Sequence, residues 1–223
     1  FNHYIERQNL NYVERLKKYS KKVKTKFFWQ MSDDDRIKFN SIEDINHILK
    51  KNKNLSGMTI NHEPMSKIKK KIYKNKINNL KLESFNLSKN AYQLGLNSAQ
   101  IYNTRHFIRS SKFSKDFYND AYYHTGIILF LIASKKKWKY LGSKMIIYRY
   151  GMFNIHKKNS YLQRLDDEFK GYLKPSEKLF TKRNYKEIFK NIFYINILSW
   201  VLFNIKLNGK NKTFKVILDN YKY

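Results

Sequence analysis

The stretch from Tyr123 to Trp138, YHTGIILFLIASKKKW, contains an apolar run followed by a basic flank, and it indicates the fold class of this sequence. Residues 127–133 carry no polar side chain, and three lysines and a tryptophan follow almost at once. A membrane-spanning helix needs about 20 apolar residues, so this run is too short to cross a bilayer. Gly126 and Ser134 border the run, and its length and isoleucine content predict one buried strand.

The residues after this run predict a βαβ unit. Ser134 is a suitable cap for a helix over residues 135–150, Gly151 would end that helix, and MFNIH (152–156) indicates a second short strand. Strand, helix and strand in this order predict parallel pairing with a right-handed crossover. The predicted fold class is therefore α/β, with a small parallel sheet flanked by helices, in a core domain over residues 86–223.

Residues 1–85 are predicted to form a basic, mostly helical N-terminal extension or arm. Apolar residues recur at helical spacing in residues 4–19, and Ser41 with Asp44 resembles a capping box at the start of a second helix. Residues 63–82 combine a narrow apolar stripe with lysines on the other faces, and this pattern predicts a third helix.

The C-terminal third predicts two helices and a hairpin. Residues 161–172 and 185–200 have helical patterns, and residues 203–207 then alternate before a turn at Asn208 and Gly209. Residues 191–205 carry no charge, but this segment is short and interrupted by polar side chains. It therefore predicts a buried helix that runs into a strand, rather than a membrane span.

The composition is strongly basic. Lys and Arg number 46 against 17 for Asp and Glu, a formal net charge of +29. Such an excess predicts a polyanionic partner, with nucleic acid first and an anionic membrane surface second. The 18 Tyr and 16 Phe residues would suit base stacking. AT-rich codons also favour Lys, Asn, Ile, Tyr and Phe, but that bias leaves the excess of Lys over Asp and Glu unexplained.

The candidate binding residues are cations. Two arginines could make bidentate contacts, and three lysine clusters could neutralise phosphates, although solvated helix faces are the alternative for the lysines. The lysines after residue 134 would lie at the carboxyl end of the predicted strand, an edge that commonly meets ligands. The candidates are Lys21, Lys22, Lys24, Lys69, Lys70, Lys71, Arg105, Arg109, Lys135, Lys136 and Lys137.

No pattern in the sequence predicts catalysis. The chain has no cysteine, its six histidines lack metal-ligand spacing, and no phosphate-binding loop or nucleophile motif occurs. The acidic clusters at residues 33–35 and 166–168 are expected to be a helix start and a solvated helix face rather than a magnesium site. We therefore predict no catalytic residue, no metal, no cofactor and no enzyme activity.

Three blocks resemble the small-subunit ribosomal protein family numbered two, in a divergent organellar form. The second block is GIILFLIASKKK (126–137) and the third is GMFNIH (151–156). A further stretch, residues 202–217, is similar to small-subunit protein seven. The first block comprises the pairs Leu94-Gly95, Tyr102-Asn103 and Phe107-Ile108.

The resemblance implies a parallel sheet flanked by helices, bound to ribosomal RNA without a catalytic role. We expect a structural constituent of the small subunit of the mitochondrial ribosome, in the mitochondrial matrix. Its expected partners are ribosomal RNA and neighbouring ribosomal proteins, with no small-molecule substrate. One alternative is an accessory subunit of a mitochondrial inner-membrane complex, held on anionic lipid. Another is an RNA-processing enzyme or tRNA-binding factor, which the lack of a carboxylate or metal constellation disfavours.

Overall fold

The computed structural model of the chain describes residues 10–38, 41–64, 80, 82–113, 122–148 and 158–221. Its helices are α1 (Tyr12–Ser20), α2 (Ser41–Lys51), α3 (Leu87–Asn90), α4 (Thr104–Phe113), α5 (Tyr123–Ala133), α6 (Lys158–Glu168), α7 (Lys174–Leu179), α8 (Lys182–Ile192), α9 (Leu198–Asn208) and α10 (Lys210–Tyr221). Its strands are β1 (Phe27–Trp29), β2 (Arg36–Ile37), β3 (Gly57–Pro64), β4 (Leu82–Ser84), β5 (Gln100–Asn103) and β6 (Trp138–Tyr148). The 3-10 segments Ala91–Gly95 and Asn97–Ala99 precede β5, and the π-helical segments Phe169–Leu173 and Phe193–Ile197 precede α7 and α9.

The six strands form one mixed sheet flanked by helices. Their order is β1-β5-β3-β6-β2, and β4 also pairs with β6. Only β3 and β6 run parallel among the described pairs, and the other four pairs are antiparallel. The α/β class is therefore confirmed, whereas the prediction of a small parallel sheet is wrong. Strands from both sides of residue 85 pair in this sheet, and the domain boundary at that position stays a prediction.

The apolar run at residues 127–133 lies in helix α5, so the prediction of a strand is wrong. Every residue from Tyr123 to Leu131 is buried except Phe130. A helix that is buried on all sides has no polar face and therefore no helical period in its sequence. A short apolar run of this kind cannot be distinguished from a buried strand by its pattern. Gly126, which was expected to border the run, lies inside the helix.

The prediction of a helix over residues 135–150 is also wrong, because most of this segment forms the strand β6. Lys135 lies in the turn after α5 and has a left-handed conformation, with φ of 55°. β6 pairs with β3 on one side and with β4 and β2 on the other. The register of β3 against β6 shifts at Asn61, so Ile60 pairs with Leu141 but Asn61 pairs with Lys144. These irregularities break the alternation of period two that would have indicated a strand.

The prediction of a β-hairpin, with alternation at residues 203–207, a turn at Asn208-Gly209 and resumed alternation at Phe214 and Val216, is wrong as well. The Asn208-Gly209 turn exists, but it joins helices α9 and α10, and Gly209 has φ of 80°. Val201 and Asn204 are buried while Phe203 is 40% exposed, which is the burial pattern of a helix. The alternating apolar residues therefore do not share one face, as they would in a strand.

Several predicted helices are confirmed. α1 begins after Asn11, whose side chain forms a capping box with Glu14. α2 covers the segment that begins at Ser41, and α6, α8 and α9 cover the two predicted C-terminal helices. Most of the lysine-rich helix predicted at residues 63–82 falls on residues 65–79, which lie outside the described residues. The short strand predicted at 152–156 lies outside them as well.

The sheet lies between two apolar clusters. Alternate residues of β5 belong to different clusters, because successive side chains of a strand point to opposite faces. Ile101 packs on the side of α2, together with Ile45 and Ile48. Tyr102 packs on the opposite side, in the larger cluster that includes α5 and the C-terminal helices.

We expect His62 on β3 to make the stability of the fold sensitive to mild acid. Its ring lies 5.1 Å from that of Tyr148, its Nδ1 is buried with no hydrogen-bond partner, and burial lowers its pKa from 6.5 to about 4. Between pH 6.5 and about 4 the unfolded chain gains a proton on this histidine while the folded chain does not. The free energy of unfolding should therefore fall by about 1.4 kcal/mol for each pH unit between about 6 and 4.

Urea unfolding at pH 7, 6 and 5 tests this prediction. The variant His62→Phe keeps the aromatic contact and removes the titrating group, so its stability should depend less on pH than that of the wild type. His47→Phe is the matched control, because His47 is exposed on α2. Equal pH dependence of the wild type and the His62 variant would contradict the prediction.

Candidate anion-binding site

One end of the sheet brings together four chain segments. β5 pairs antiparallel with β1 and β3, so Asn103 lies opposite Phe27, and Tyr102 lies opposite Gly57. Gly57 also pairs with Trp138 at the start of β6. The segments that precede β1, β3 and β6 therefore meet the first turn of α4 at this end.

A cleft of about 760 Å³ lies between three of these segments. The segments are residues 23–26 before β1, residues 53–55 before β3 and residues 103–109 around the start of α4. Its lining includes no carboxylate among the described residues. Five cationic side chains line it: Lys24, Lys26, Lys53, Arg105 and Arg109.

Asn103 and Thr104 hold the three segments together. Asn103 donates from Nδ2 to the Leu55 carbonyl at 3.2 Å, and its Oδ1 accepts from the backbone N–H of His106 at 3.2 Å. Thr104 donates from Oγ1 to the Thr25 carbonyl at 2.8 Å. Both residues are buried, so the exposed cations around them stand on a backbone that is fixed by hydrogen bonds.

The five cationic side chains make the electrostatic potential in the cleft positive. The pKa of His106 is lowered, first by burial and then by Lys136, Arg109 and other nearby cations. The Nδ1 atom of His106 is buried and has no hydrogen-bond partner. The backbone N–H groups at the start of α4 add partial positive charge. These features together suit an anionic ligand, and phosphate in particular.

A second cavity of about 350 Å³ lies at the start of β6. Lys136, Lys137 and Lys139 line it together with the ring of Phe85, and Lys139 donates to Ser84 Oγ at 3.0 Å. Ser56, directly before β3, links that strand to the loop between α5 and β6, because its N–H and Oγ both donate to the Lys137 carbonyl at 2.9 Å.

The structure brings some of the predicted cations together and separates others. Lys24, Arg105 and Arg109 line the cleft, Lys136 and Lys137 line the second cavity, and Lys135 lies in the turn after α5. Lys21 and Lys22 follow α1, with the Lys22 ammonium 5.4 Å from the centroid of the Tyr19 ring. Lys69, Lys70 and Lys71 lie outside the described residues. A role for any of them in binding stays a prediction.

Lys26, Lys53 and His106 also belong to the cleft, and they were not predicted as parts of a site. Lys26 directly precedes the apolar strand β1, and Lys53 follows the basic end of α2, so the positive charge of each was visible in the sequence. Nothing in the sequence linked them, because Lys53 and His106 are separated by more than 50 positions and meet only through the pairing of β3 with β5.

The acidic clusters do not gather ligands for a metal. Asp33 and Asp34 lie in an exposed turn, and Glu168 is buried and accepts from the Tyr122 hydroxyl at 2.6 Å. Among the described residues no group of three or more His, Asp or Glu side chains could hold a metal ion. Nor does any helix in that part of the chain have the length and apolar character to cross a membrane.

Comparison with known proteins identifies the fold by structure rather than by sequence. No protein-family profile and no curated protein sequence matches this chain. The chain is similar to crystal structures of TarS from S. aureus, and 94% of it aligns with 58% of TarS 1–349 at a TM-score of 0.56 and 11% identity. A further TarS structure aligns with 94% of this chain over 36% of its own length, at a TM-score of 0.56 and 10% identity.

TarS 1–349 in complex with UDP-GlcNAc is also similar. The match covers 90% of this chain and 58% of that chain, with a TM-score of 0.54 and 12% identity. The chain thus spans just over half the length of TarS 1–349. At this level of identity the similarity establishes a shared fold.

The ribosomal interpretation is therefore wrong. The similar structures described above are of TarS, which was crystallised with UDP-GlcNAc and with UDP. The fold shared with TarS overturns the predicted roles as a ribosomal constituent or an inner-membrane accessory subunit. The ligands of TarS are at odds with the predicted RNA and ribosomal-protein partners and with the exclusion of enzyme activity and small-molecule substrates. The resemblance failed because its blocks were short apolar runs, and the second block is a helix where a strand was expected. The mitochondrial location stays a prediction.

Proposed function

We propose that this chain belongs to a glycosyltransferase that uses a nucleoside diphosphate sugar as its donor. The observation that carries this proposal is the structural alignment of 90% of the chain with TarS bound to UDP-GlcNAc, at a TM-score of 0.54. TarS was also crystallised with UDP. UDP-GlcNAc is a sugar nucleotide, and UDP is the product that remains when such a donor loses its sugar.

The chemistry of this transfer explains why a positive cleft is useful. An acceptor oxygen forms a bond to the anomeric carbon of the sugar, and the bond from that carbon to the β-phosphate oxygen breaks. The acceptor proton passes to a base, and the nucleoside diphosphate leaves with the bonding electron pair. Negative charge grows on the diphosphate in the transition state, so positive groups already in place there lower the barrier.

The size and charge of the cleft support the binding of a nucleoside diphosphate there. Its volume of about 760 Å³ falls in the range of small-molecule sites. The guanidinium groups of Arg105 and Arg109 can each donate two hydrogen bonds to one phosphate, whereas Lys24, Lys26 and Lys53 act as point charges. The fixed positions of Asn103 and Thr104 support this arrangement by holding the start of α4 in place.

The double variant Arg105→Gln/Arg109→Gln should weaken binding of UDP by about 10- to 100-fold, because it removes two charge-assisted contacts to phosphate. Isothermal titration calorimetry with UDP and with UDP-GlcNAc measures this change. Arg183→Gln is the matched control, since Arg183 is an exposed arginine on α8 that does not line the cleft. Its affinity for UDP should equal that of the wild type.

Two results separate the parts of this proposal. If the wild type binds UDP and the double variant binds it equally well, the cleft is not the diphosphate site. If the wild type neither binds UDP-GlcNAc or UDP nor releases UDP from UDP-GlcNAc, the proposed glycosyltransferase activity with this donor is wrong. Circular dichroism of each variant establishes that the fold is intact.

A further inference from the structure

The C-terminal helices present large apolar side chains to solvent. Tyr194 is 68% exposed, Leu202 is 60% exposed and Leu218 is 58% exposed, and Phe203 and Phe214 are exposed as well. In the described part of the chain the other large apolar residue in this class is Ile42 on α2. Single exposed apolar residues are normal on a protein surface, but five within 25 positions form a concentration that indicates an interaction surface.

The exposed apolar residues of α10 lie on one side of that helix. Phe214 and Leu218 are four positions apart, and Lys210 is four positions before Phe214, so all three share one face. Thr213 is buried toward the rest of the protein. The outer face of α10 therefore combines apolar side chains with a lysine.

Helix α9 has the same organisation. Val201 and Asn204 are buried, whereas Leu202 and Phe203 are exposed, and the exposed Lys206 follows them by one turn. Long lysine side chains can extend along an apolar surface and keep the ammonium group in a polar layer. Both helices thus carry the apolar and cationic groups that interfacial helices use.

The charge of this region selects the partner. Residues 193–221, which hold the exposed apolar side chains, contain four basic side chains and one acidic side chain, a difference of three positive charges. A second copy of the chain would bring two positive surfaces together, which repel each other. An anionic lipid surface has the opposite charge, and it offers an acyl boundary in which aromatic and aliphatic side chains can be buried.

We propose that the outer faces of α9 and α10, together with Tyr194, bind the surface of an anionic lipid membrane. The apolar side chains enter the boundary between headgroups and acyl chains, and Lys206, Lys210 and Lys215 lie at the level of the lipid phosphates. The helices lie on the membrane without crossing it. This inference is independent of the ligand of the cleft.

Co-sedimentation of the full chain with vesicles tests the proposal. Vesicles of phosphatidylcholine alone are compared with vesicles that also contain phosphatidylglycerol, and binding is expected only to the second kind and to weaken in high salt. The variant Phe214→Asn/Leu218→Asn should lose at least about tenfold in affinity for anionic vesicles, because it removes the inserted apolar groups. Ile42→Asn is the matched control, since Ile42 is equally exposed on a distant element, and it should bind like the wild type.

The lysines are tested separately. Lys210→Gln/Lys215→Gln should reduce the affinity for anionic vesicles by about 25-fold, at about fivefold for each charge near the surface. The variant Arg105→Gln/Arg109→Gln removes two charges that lie elsewhere, at the cleft, and should bind vesicles like the wild type.

Three results would overturn the proposal. The first is a wild-type chain that does not sediment with anionic vesicles. The second is a Phe214/Leu218 variant that binds vesicles as well as the wild type, which would show that net charge alone drives adsorption. The third is a wild-type dimer in analytical ultracentrifugation that the same variant converts to a monomer while vesicle binding is unchanged, which would make a second copy the occupant. Circular dichroism excludes unfolding of the variant as the cause.

Discussion

Trp138→Ala is expected to lower the free energy of unfolding by about 3–5 kcal/mol. Trp138 is 5% exposed at the start of β6, and its indole Nε1 donates to Thr59 Oγ1 at 2.9 Å. Its ring centroid lies 5.8 Å from that of Tyr102. Gly57 provides the space for the ring, because a Cβ at that position would lie 2.2 Å from it. The substitution would remove this contact area and leave a cavity where the parallel strands begin.

Urea denaturation followed by circular dichroism measures the effect. Trp138→Phe is the matched variant, because it keeps most of the apolar contact and removes the indole donor. Its expected loss is about 1–2 kcal/mol, the cost of one buried hydrogen bond together with a small cavity. An alanine variant within about 1 kcal/mol of the wild type would show that the ring does not belong to the core.

Leu129→Ala is expected to cost about 2–5 kcal/mol, because the side chain is fully buried in α5. The control is Leu202→Ala on α9, where the same substitution in another helix affects a side chain that is 60% exposed. Helix propensity changes equally in both variants, so the difference between them measures burial. The control should change the free energy of unfolding by less than about 0.5 kcal/mol.

Equal losses for the two leucine variants would contradict the description of α5 as a helix without a solvent face. The same denaturation experiment measures both variants. Leu202→Ala should in addition weaken binding to anionic vesicles, because Leu202 belongs to the proposed membrane surface. The two leucines thus separate a contribution to the core from a contribution to binding.

The residue pattern predicted individual cations of the candidate site but not their arrangement. Lys24, Arg105 and Arg109 were predicted to bind phosphate, each on the basis of its charge. Their convergence could not be predicted, because about 80 positions separate Lys24 from Arg105 and the antiparallel pairing of Phe27 with Asn103 brings them together. The excess of positive charge therefore predicted an anionic ligand but could not identify its kind, since charge alone does not distinguish RNA from a small phosphate compound.

The local features of the sequence determined local structure. Asn11 and Glu14 specify the start of α1, the pattern after Ser41 specifies α2, and Asn208-Gly209 specifies a turn. These features depend on neighbours within a few positions of the chain, so their effect can be derived without the fold. The excess of positive charge is likewise a property of the composition alone.

Only the tertiary structure decided between helix and strand in residues 123–148. Helix α5 is surrounded by other elements, and strand β6 is paired on both sides and carries irregular register, so neither shows the period of its own secondary structure. Burial on all sides removes the polar residues that mark a solvent face, and that face is the source of the periodic signal. The most apolar stretch of the chain, YHTGIILFLIA, was for this reason the one whose conformation its own residues could not specify.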